Sequence, residues 1–439
     1  MRQKESPILS ATLYILVAIS LFLTSRILSN PGTLSNSQNT GTTAPTASLT
    51  NTKNVEDVFA PTYMTMHTDQ KVYLSQDPAV MKAVNAQLGK GEMAGIESVL
   101  TYTPEEYDAF VMSGNQLEIT FSEEVPLELL SRYFNNLQED YFTDQINRII
   151  IPTDEGAPIY LLSDSTKRVF VVAHPEQLGQ QVADIYEGNK GSFTTVIPYA
   201  LADAIAYLPE QEVTVPKLVY LAERPPNSFF INLLFDDTTE LKDNGNDEFV
   251  SYSDNISELS IQKTTGLLSY YRNSLDNETM SNYRLIRNSF HEIKMLDNWT
   301  NPFYFYDYDE KTGDVYYRRY VNGFPIFGDV DYGLTRIKMS GSTVIELQFS
   351  TQVIQTPLTD RQEATVLISG EQLLEELKNA GYPAGNIQKI TVGYDWAFSE
   401  ESNRIVDLTP KWFIKMDDRW QTMDKWIAAS ETDGAANGF

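Results

Sequence analysis

An uncharged apolar run at residues 8–24, ILSATLYILVAISLFLT, lies almost at the start of the chain and constrains everything after it. Its seventeen residues make about 26 Å of α-helix at ~1.5 Å per residue, just short of a ~30 Å hydrocarbon core. Ile27 and Leu28 extend the run past Arg26, whose long stem reaches back to the headgroups. Arg2 and Lys4 precede it, so the positive-inside bias keeps the N-terminus in the cytoplasm and sends the rest across. The run therefore predicts a single N-terminal transmembrane helix on an extracellular body. A cleaved signal peptide is the rival reading. Ser25, Arg26, Ile27, Leu28, Ser29 and Asn30 follow, however, and contain no Ala-x-Ala site. Lipidation at cysteine is excluded, because the chain has none.

Charge narrows the partners. The net charge of −27 repels nucleic acid and keeps the body off an anionic lipid surface. Hydrophobic content of 42% with 12% aromatics indicates folded material. An exported chain without cysteine has no disulfide framework, which fits the outside of a Gram-positive bacterium better than a secreted animal protein.

Residues 29–54 are nearly free of apolar side chains and read as a flexible tether. A first α+β domain is expected over 55–212, with strands at 63–67, 71–75, 146–151, 158–162 and 168–173. Leu117, Ile119 and Phe121 alternate as in a half-buried strand. Asp77-Pro78 and the capping box from Thr103 to Glu106 open helices, and Pro126 opens another to residue 134. A middle domain is expected over 213–330, where the run 229–235, FFINLLF, reads as a strand before an acidic loop. A hairpin at 258–272, a helix near 279–295 and strands at 303–308 and 315–321 follow. Tyr283, Ile286, Phe290 and Ile293 share one face of that helix. The last domain, 331–439, repeats the order: a hairpin at 335–349, a helix capped by Ser369, then strands at 390–396 and 411–416. Strand–strand–helix–strand–strand twice suggests two related units.

Motifs for catalysis are weak. His67, His174 and His291 are far apart and belong to no zinc helix, and no nucleophile elbow or P-loop occurs. Glu105/Glu106 and Glu123/Glu124 are neighbours in sequence, which says nothing about facing across a cleft. The acidic stretches 243–248 and Asp307, Asp309, Asp314 lack the EF-hand spacing, so no metal or cofactor is assigned. All five tryptophans lie in the last third. Among the aromatics there, Trp299, Tyr304, Tyr306, Trp396 and Trp412 are candidates for a docking surface, since aromatics dominate interface hot spots.

Five stretches carry a family resemblance. They are Val58-Phe59-Ala60-Pro61-Thr62, the 230–235 run, Tyr283-Arg284-Leu285-Ile286-Arg287, Asp297-Asn298-Trp299-Thr300 and Tyr320-Val321-Asn322-Gly323-Phe324-Pro325-Ile326-Phe327. In that order they resemble the YycH (WalH) regulatory family. The C-terminal part, with Val392-Gly393-Tyr394 and Leu408-Thr409-Pro410-Lys411-Trp412, is also similar to the companion YycI (WalI). The resemblance implies a non-enzymatic membrane accessory of the sensor kinase WalK (YycG), acting with YycI on cell-wall homeostasis. It also implies PepSY-like α+β units, and it leaves association with a second copy of the chain open. Ala11, Tyr14, Ala18, Leu21 and Ser25 recur at spacings of three and four, a seam on which a partner helix can pack closely. The alternative is a wall-facing hydrolase or an inhibitor of one. Such an enzyme should have a cleft with converging carboxylates.

Overall fold

The structure, a computed structural model, describes residues 54–436 apart from 69, 155, 174–176, 275–279, 297–300, 359–362 and 401. The apolar run, its seam, most of the tether, His174 and Trp299 lie outside the described residues. Among the described residues, no helix is long and apolar enough to cross a membrane.

Period-2 patterning in the first half builds a nine-stranded antiparallel sheet. Its strands are β1 (Tyr63–His67), β2 (Val72–Ser75), β3 (Ile96–Thr101), β4 (Gln116–Pro126) and β5 (Gln145–Pro152). They continue with β6 (Ile159–Ser163), β7 (Arg168–Val172), β8 (Thr194–Ala200) and β9 (Ile205–Pro209). The spatial order is β3-β7-β6-β5-β4-β1-β2-β8-β9. Helix Pro78–Leu88 starts where Asp77 Oδ1 accepts the Ala79 N–H at 2.8 Å. Thr103 and Glu106 form the expected capping box for helix Pro104–Met112. After Pro126 the chain makes a 3₁₀ segment, Leu127–Tyr133, in place of the expected α-helix. The Leu127 and Glu128 N–H groups bond outward to the Asp144 and Phe142 carbonyls, which ties the entering turn to another segment.

The second half forms a fifteen-stranded path. It comprises β10 (Val213–Glu223), β11 (Lys242–Asp243), β12 (Phe249–Ser253), β13 (Ser257–Gln262) and β14 (Leu267–Arg272). Next come β15 (Phe303–Asp309), β16 (Asp314–Val321), β17 (Phe324–Phe327), β18 (Leu334–Ser340) and β19 (Thr343–Ser350). The last are β20 (Val353–Pro357), β21 (Glu363–Leu367), β22 (Lys389–Ser399), β23 (Ser402–Met416) and β24 (Arg419–Thr422). The path runs β11-β12-β13-β14-β19-β18-β16-β17-β22-β23-β10-β20, with β15, β21 and β24 flanking β16, β10 and β23. Short β17 is the joint: it pairs antiparallel with β16 and parallel with β22. Helix Asn282–Leu296 lays Ile286, Phe290 and Ile293 on the first part of this path, and helix Gly370–Asn379 buries Leu373 and Leu377 in the second. The body is thus α+β, as the patterning implies.

One element differs in kind. The 229–235 run is not a strand; helix Asn227–Leu234 occupies it. A short run that is apolar except for Asn232 has no period to separate buried strand from buried helix. Here Pro225 and Pro226 set the start, and Phe230 turns inward to pack edge-on against Phe349.

Two cores result. One runs from the first sheet through Phe59, which meets Phe290 and Phe305 at ring separations of 6.1 and 5.4 Å, into the β13–β19 layer. The other fills the β10–β22–β23 layer around Trp396, Trp412 and Trp426. Between β16 and β17, Asn322 and Gly323 take φ of 50° and 83°, the turn that matches strand twist in a two-residue hairpin. Gly323 also touches the first lobe: a Cβ there would lie 2.1 Å from the Gln76 carbonyl oxygen. Gly323→Ala should therefore cost about 2 kcal/mol or more, combining left-handed strain with the clash. Thermal unfolding by circular dichroism checks this, and Asn322→Gly, which keeps the turn, should stay within about 1 kcal/mol of wild type.

Candidate functional site

The other face of the first sheet buries charge inside an apolar cluster of Tyr107, Ile150, Leu162, Val169, Ile205 and Tyr207. On β4, Leu117, Ile119 and Phe121 enter the apolar core, while Gln116, Glu118 and Thr120 on the opposite face are equally buried. Arg148 of β5, only 1% exposed, organises this face. Its Nε and Nη2 donate to Asp164 at 2.8 and 2.9 Å, a bidentate fork, and Nη1 donates to Glu118. Nη2 also donates to the Ile205 carbonyl of β9 at 3.1 Å, so the sheet curls until β9 reaches β5. Tyr107 donates to Asp164 at 2.6 Å, Thr120 to Glu118 at 2.9 Å, and Tyr207 to Glu118. His67 Nε2 lies 3.4 Å from Glu118 and 3.2 Å from the Tyr207 hydroxyl. Burial works to raise Glu118, but the Arg148 charge and the bonds from His67 and Tyr207 overcome it and hold the carboxyl at about 2. Asp164 is likewise held at about 2: burial opposes, and Arg148, Tyr107 and Asn147 win.

Above this network opens a cleft of about 1010 Å³. One wall comes from the first sheet, with Arg148, Asp164 and Tyr63; the other comes from β15, β22 and β24, with Tyr306, Lys389 and Trp420. Ser122 donates to the Phe305 carbonyl at 2.9 Å and Lys389 bonds Glu123, stitching the floor. At the back, Ala202 N–H donates to the Ile387 carbonyl at 2.8 Å. Burial and the nearby Asp307 charge raise Glu123 despite Lys389. Lys389 is raised as well, because Glu123 and Asp307 outweigh its burial. The Tyr306 ring lies beneath Arg318, whose guanidinium is 4.4 Å from the ring centre.

The YycH N-terminal domain family matches residues 7–188, and the YycH C-terminal domain family matches 204–431. The chain belongs to the YycH family. A Bacillus subtilis (strain 168) relative, named the two-component system WalR/WalK regulatory protein YycH, is 19% identical over 408 residues, 88% of each chain. The crystal structure of YycH from Bacillus subtilis superposes with a TM-score of 0.70 at 16% identity, covering 85% of this chain and 98% of that one. YycH proteins are regulatory accessory proteins and not enzymes.

Within this YycH-family body, the sequence-predicted aromatics do not assemble into one exposed face. Trp396 stacks on Tyr332 at 5.0 Å and Trp412 donates to the Ile368 carbonyl; both are core residues, 3% and 5% exposed, and are no docking surface. Tyr304 packs edge-on against Tyr320, and Tyr306 lines the cleft. Their indole and phenol rings were drawn inward because β-rich layers need large fillers. The 243–248 stretch is an exposed Asx-turn loop, with Asp243 and Asn246 accepting from Gly245, Glu248 and Phe249 N–H groups. Among the described residues, no three His, Cys, Asp or Glu are arranged to hold a metal. The Glu118–Arg148–Asp164 cluster escaped motif reading. Its signal was a charge inside an apolar strand, as in Ile146-Asn147-Arg148-Ile149.

Both carboxylates titrate lower folded than unfolded, so their contribution is full above about pH 5 and is lost as pH falls toward 2. Arg148→Met should cost about 3–5 kcal/mol at pH 7, because two buried carboxylates lose their cation. That deficit should shrink by pH 4, where the unpaired carboxyls take up protons. Thermal melts of both proteins across this range check the sign.

Proposed function

We propose that this chain is a membrane-anchored accessory regulator of a WalR/WalK-type two-component system. It acts from outside on a WalK (YycG) sensor kinase, together with a YycI (WalI) partner, and so adjusts cell-wall homeostasis. The observation that carries this reading is the relationship to a named WalR/WalK regulatory protein over 88% of both chains. The apolar run at 8–24, behind Arg2 and Lys4, supplies the anchor and sets its orientation. The same helix gives a physical route, since contact along Ala11, Tyr14, Ala18, Leu21 and Ser25 biases the two-state equilibrium of a neighbouring kinase helix.

Crosslinking in intact membranes, followed by identification of the captured proteins, tests the assignment. Recovery of a sensor kinase and a YycI-like protein is expected, and recovery of neither would overturn it. Replacing Ala11 and Ala18 by Phe should reduce kinase co-purification several-fold, because bulky side chains hold helices apart in lipid. Association at the wild-type level would leave the seam without a role.

A further inference from the structure

A second cavity shares no lining residue with the cleft, and its charge runs against that of the chain. It has a volume of about 390 Å³ and lies where β10 ends. Three cations line it, Arg224, Lys263 and Arg404, against one carboxylate, Glu223. That is an excess of two positive charges in a chain whose net charge is −27. Strand register and hydrogen bonds bring these residues together. Leu221 pairs with Ile405 of β23, so Arg404 stands level with Ala222, two residues before Arg224. Glu223 pairs with Val353 of β20, which puts Gln352 level with Arg224. Residues level across a sheet, or two apart along a strand, share one face. Thr351 donates to the Gly266 carbonyl at 2.7 Å, which ties this corner to the β13–β14 turn. Arg224 Nη1 donates to the Lys263 carbonyl in that turn at 3.4 Å. Gly266 permits the approach: its φ is 74°, and a Cβ there would lie 2.9 Å from Thr351 Oγ1.

Convergent cations alone make no site, but these have no anion to answer them. Among the described residues, none of the three is in an ion pair, and neither is Glu223. Lys263 Nζ donates to the Asn246 carbonyl at 2.5 Å and keeps two more N–H groups. Arg224 is half-buried, and burial draws its guanidinium below the usual range with no carboxylate to offset the loss. Arg148 is the contrast, since Asp164 and Glu118 there outweigh the burial. The Thr264 and Gln352 side chains, in the same wall, also make no bond among the described residues. Arginine and lysine can only donate, so the missing partner is an acceptor. A guanidinium fork matches phosphate oxygens, and a phosphate group carries about −1.5 to −2 at neutral pH, enough to cancel the excess. One carboxylate would leave a positive charge over. The volume falls in the roughly 300–1,000 Å³ range of small-ligand sites.

We propose that this pocket binds the phosphate group of a small soluble molecule, with Arg224 and Arg404 forking its oxygens and Lys263 neutralising the remaining charge. The net charge of the body holds it off anionic headgroups, which selects a soluble ligand over a lipid. Bound there, the anion ties the β13–β14 turn, whose hairpin belongs to the first core, to β10 and β23 of the second. The site stands independently of the regulatory reading above.

Full-length protein in nonionic detergent micelles should be titrated at constant ionic strength with inorganic phosphate, glycerol 3-phosphate and acetate, following heat and melting temperature. Saturable binding of at least one of the two phosphates is expected, with a rise in melting temperature and no saturable binding of acetate. Arg224→Gln and Arg404→Gln should each weaken phosphate binding about tenfold, the scale of one charge-assisted hydrogen bond. Arg404 is exposed, so Arg404→Gln should melt as wild type without phosphate, and its result stands even if Arg224→Gln folds poorly. Lys82→Gln, which removes an exposed cation from helix Pro78–Leu88, should bind as wild type. Saturation by neither phosphate, equally tight acetate, or equal affinity in wild type and Arg404→Gln overturns the site. Equal loss in Lys82→Gln marks a general charge effect and overturns it too. Micelles doped with phosphatidylglycerol supply the lipid arm. Protection by them that Arg404→Gln abolishes, without binding of either soluble phosphate, gives the site to a headgroup and overturns the soluble assignment.

Discussion

Arg148 is the residue around which the first lobe closes. A guanidinium at 1% exposure has given up its water, a cost of several kcal/mol that attraction repays only with excellent geometry. Here the geometry is a fork to Asp164, a further bond to Glu118 and a fourth to the Ile205 carbonyl. That last contact joins β5 to the far edge strand β9, so the ion network also sets how tightly a nine-stranded sheet must curl. An apolar core of the same volume would pack the face equally well. It would not specify which strands approach, because hydrophobic contact has no direction. The network therefore accounts for the shape of the lobe more than for its stability.

That curl has a consequence for the cleft. The apolar side of the same sheet merges through Phe59 with the layer that carries Phe290 and Phe305, so the floor belongs to one continuous core. The opposite wall takes β22 from a separate core around Trp396 and Trp412, and β15 from the first. Among the places where the first sheet and the two layers of the second half meet are four: β17, the Gly323 approach to Gln76, the Lys389–Glu123 pair, and Gly370 against Leu208, a β9 side chain that belongs to the second core. Two of those four points are glycines at which a Cβ would lie within 2.2 Å of the other side. The walls are close because the residues there have no side chain to keep them apart.

Local chemistry was legible wherever one residue decides it. Asp77 and Pro78, the Thr103–Glu106 box and Ser369 with Gln372 start helices where their capping groups demand. Alternation located β4, and the hairpins read at 258–272 and 335–349 are β13–β14 and β18–β19. The misreadings came from tertiary context. The 229–235 run, FFINLLF, has a single polar residue and so no clear helical or strand phase, and in the fold it is a helix that begins after Pro226 and packs Phe230 on Phe349. Glu118 sat in a pattern read as half-buried with one polar face, and nothing local says that this face is covered by Tyr107 and Arg148. The tryptophans, conspicuous in composition, are mostly structural. The cleft itself is assembled from β1 to β24, and no sequence window contains it.

A cleft with carboxylates was the expected mark of a hydrolase, and this chain has such a cleft. The arrangement of charge removes the implication. Acid–base cleavage of a glycosidic bond needs one carboxyl kept protonated and a second kept free on the opposite side of the substrate. Glu123 is raised by burial, but it is tied to Lys389 at the floor, and the charge that raises it further is Asp307 on the adjoining strand β15. Glu123 and Asp307 thus press on each other where β4 and β15 adjoin, and the Lys389 charge acts on both. Asp164 is held near 2 by Arg148 and has no proton to give near neutrality. With Asp164 taken by Arg148 and Glu123 by Lys389, two of the six carboxylates that line the cleft are committed to structural ion pairs, which agrees with the non-enzymatic character of YycH proteins.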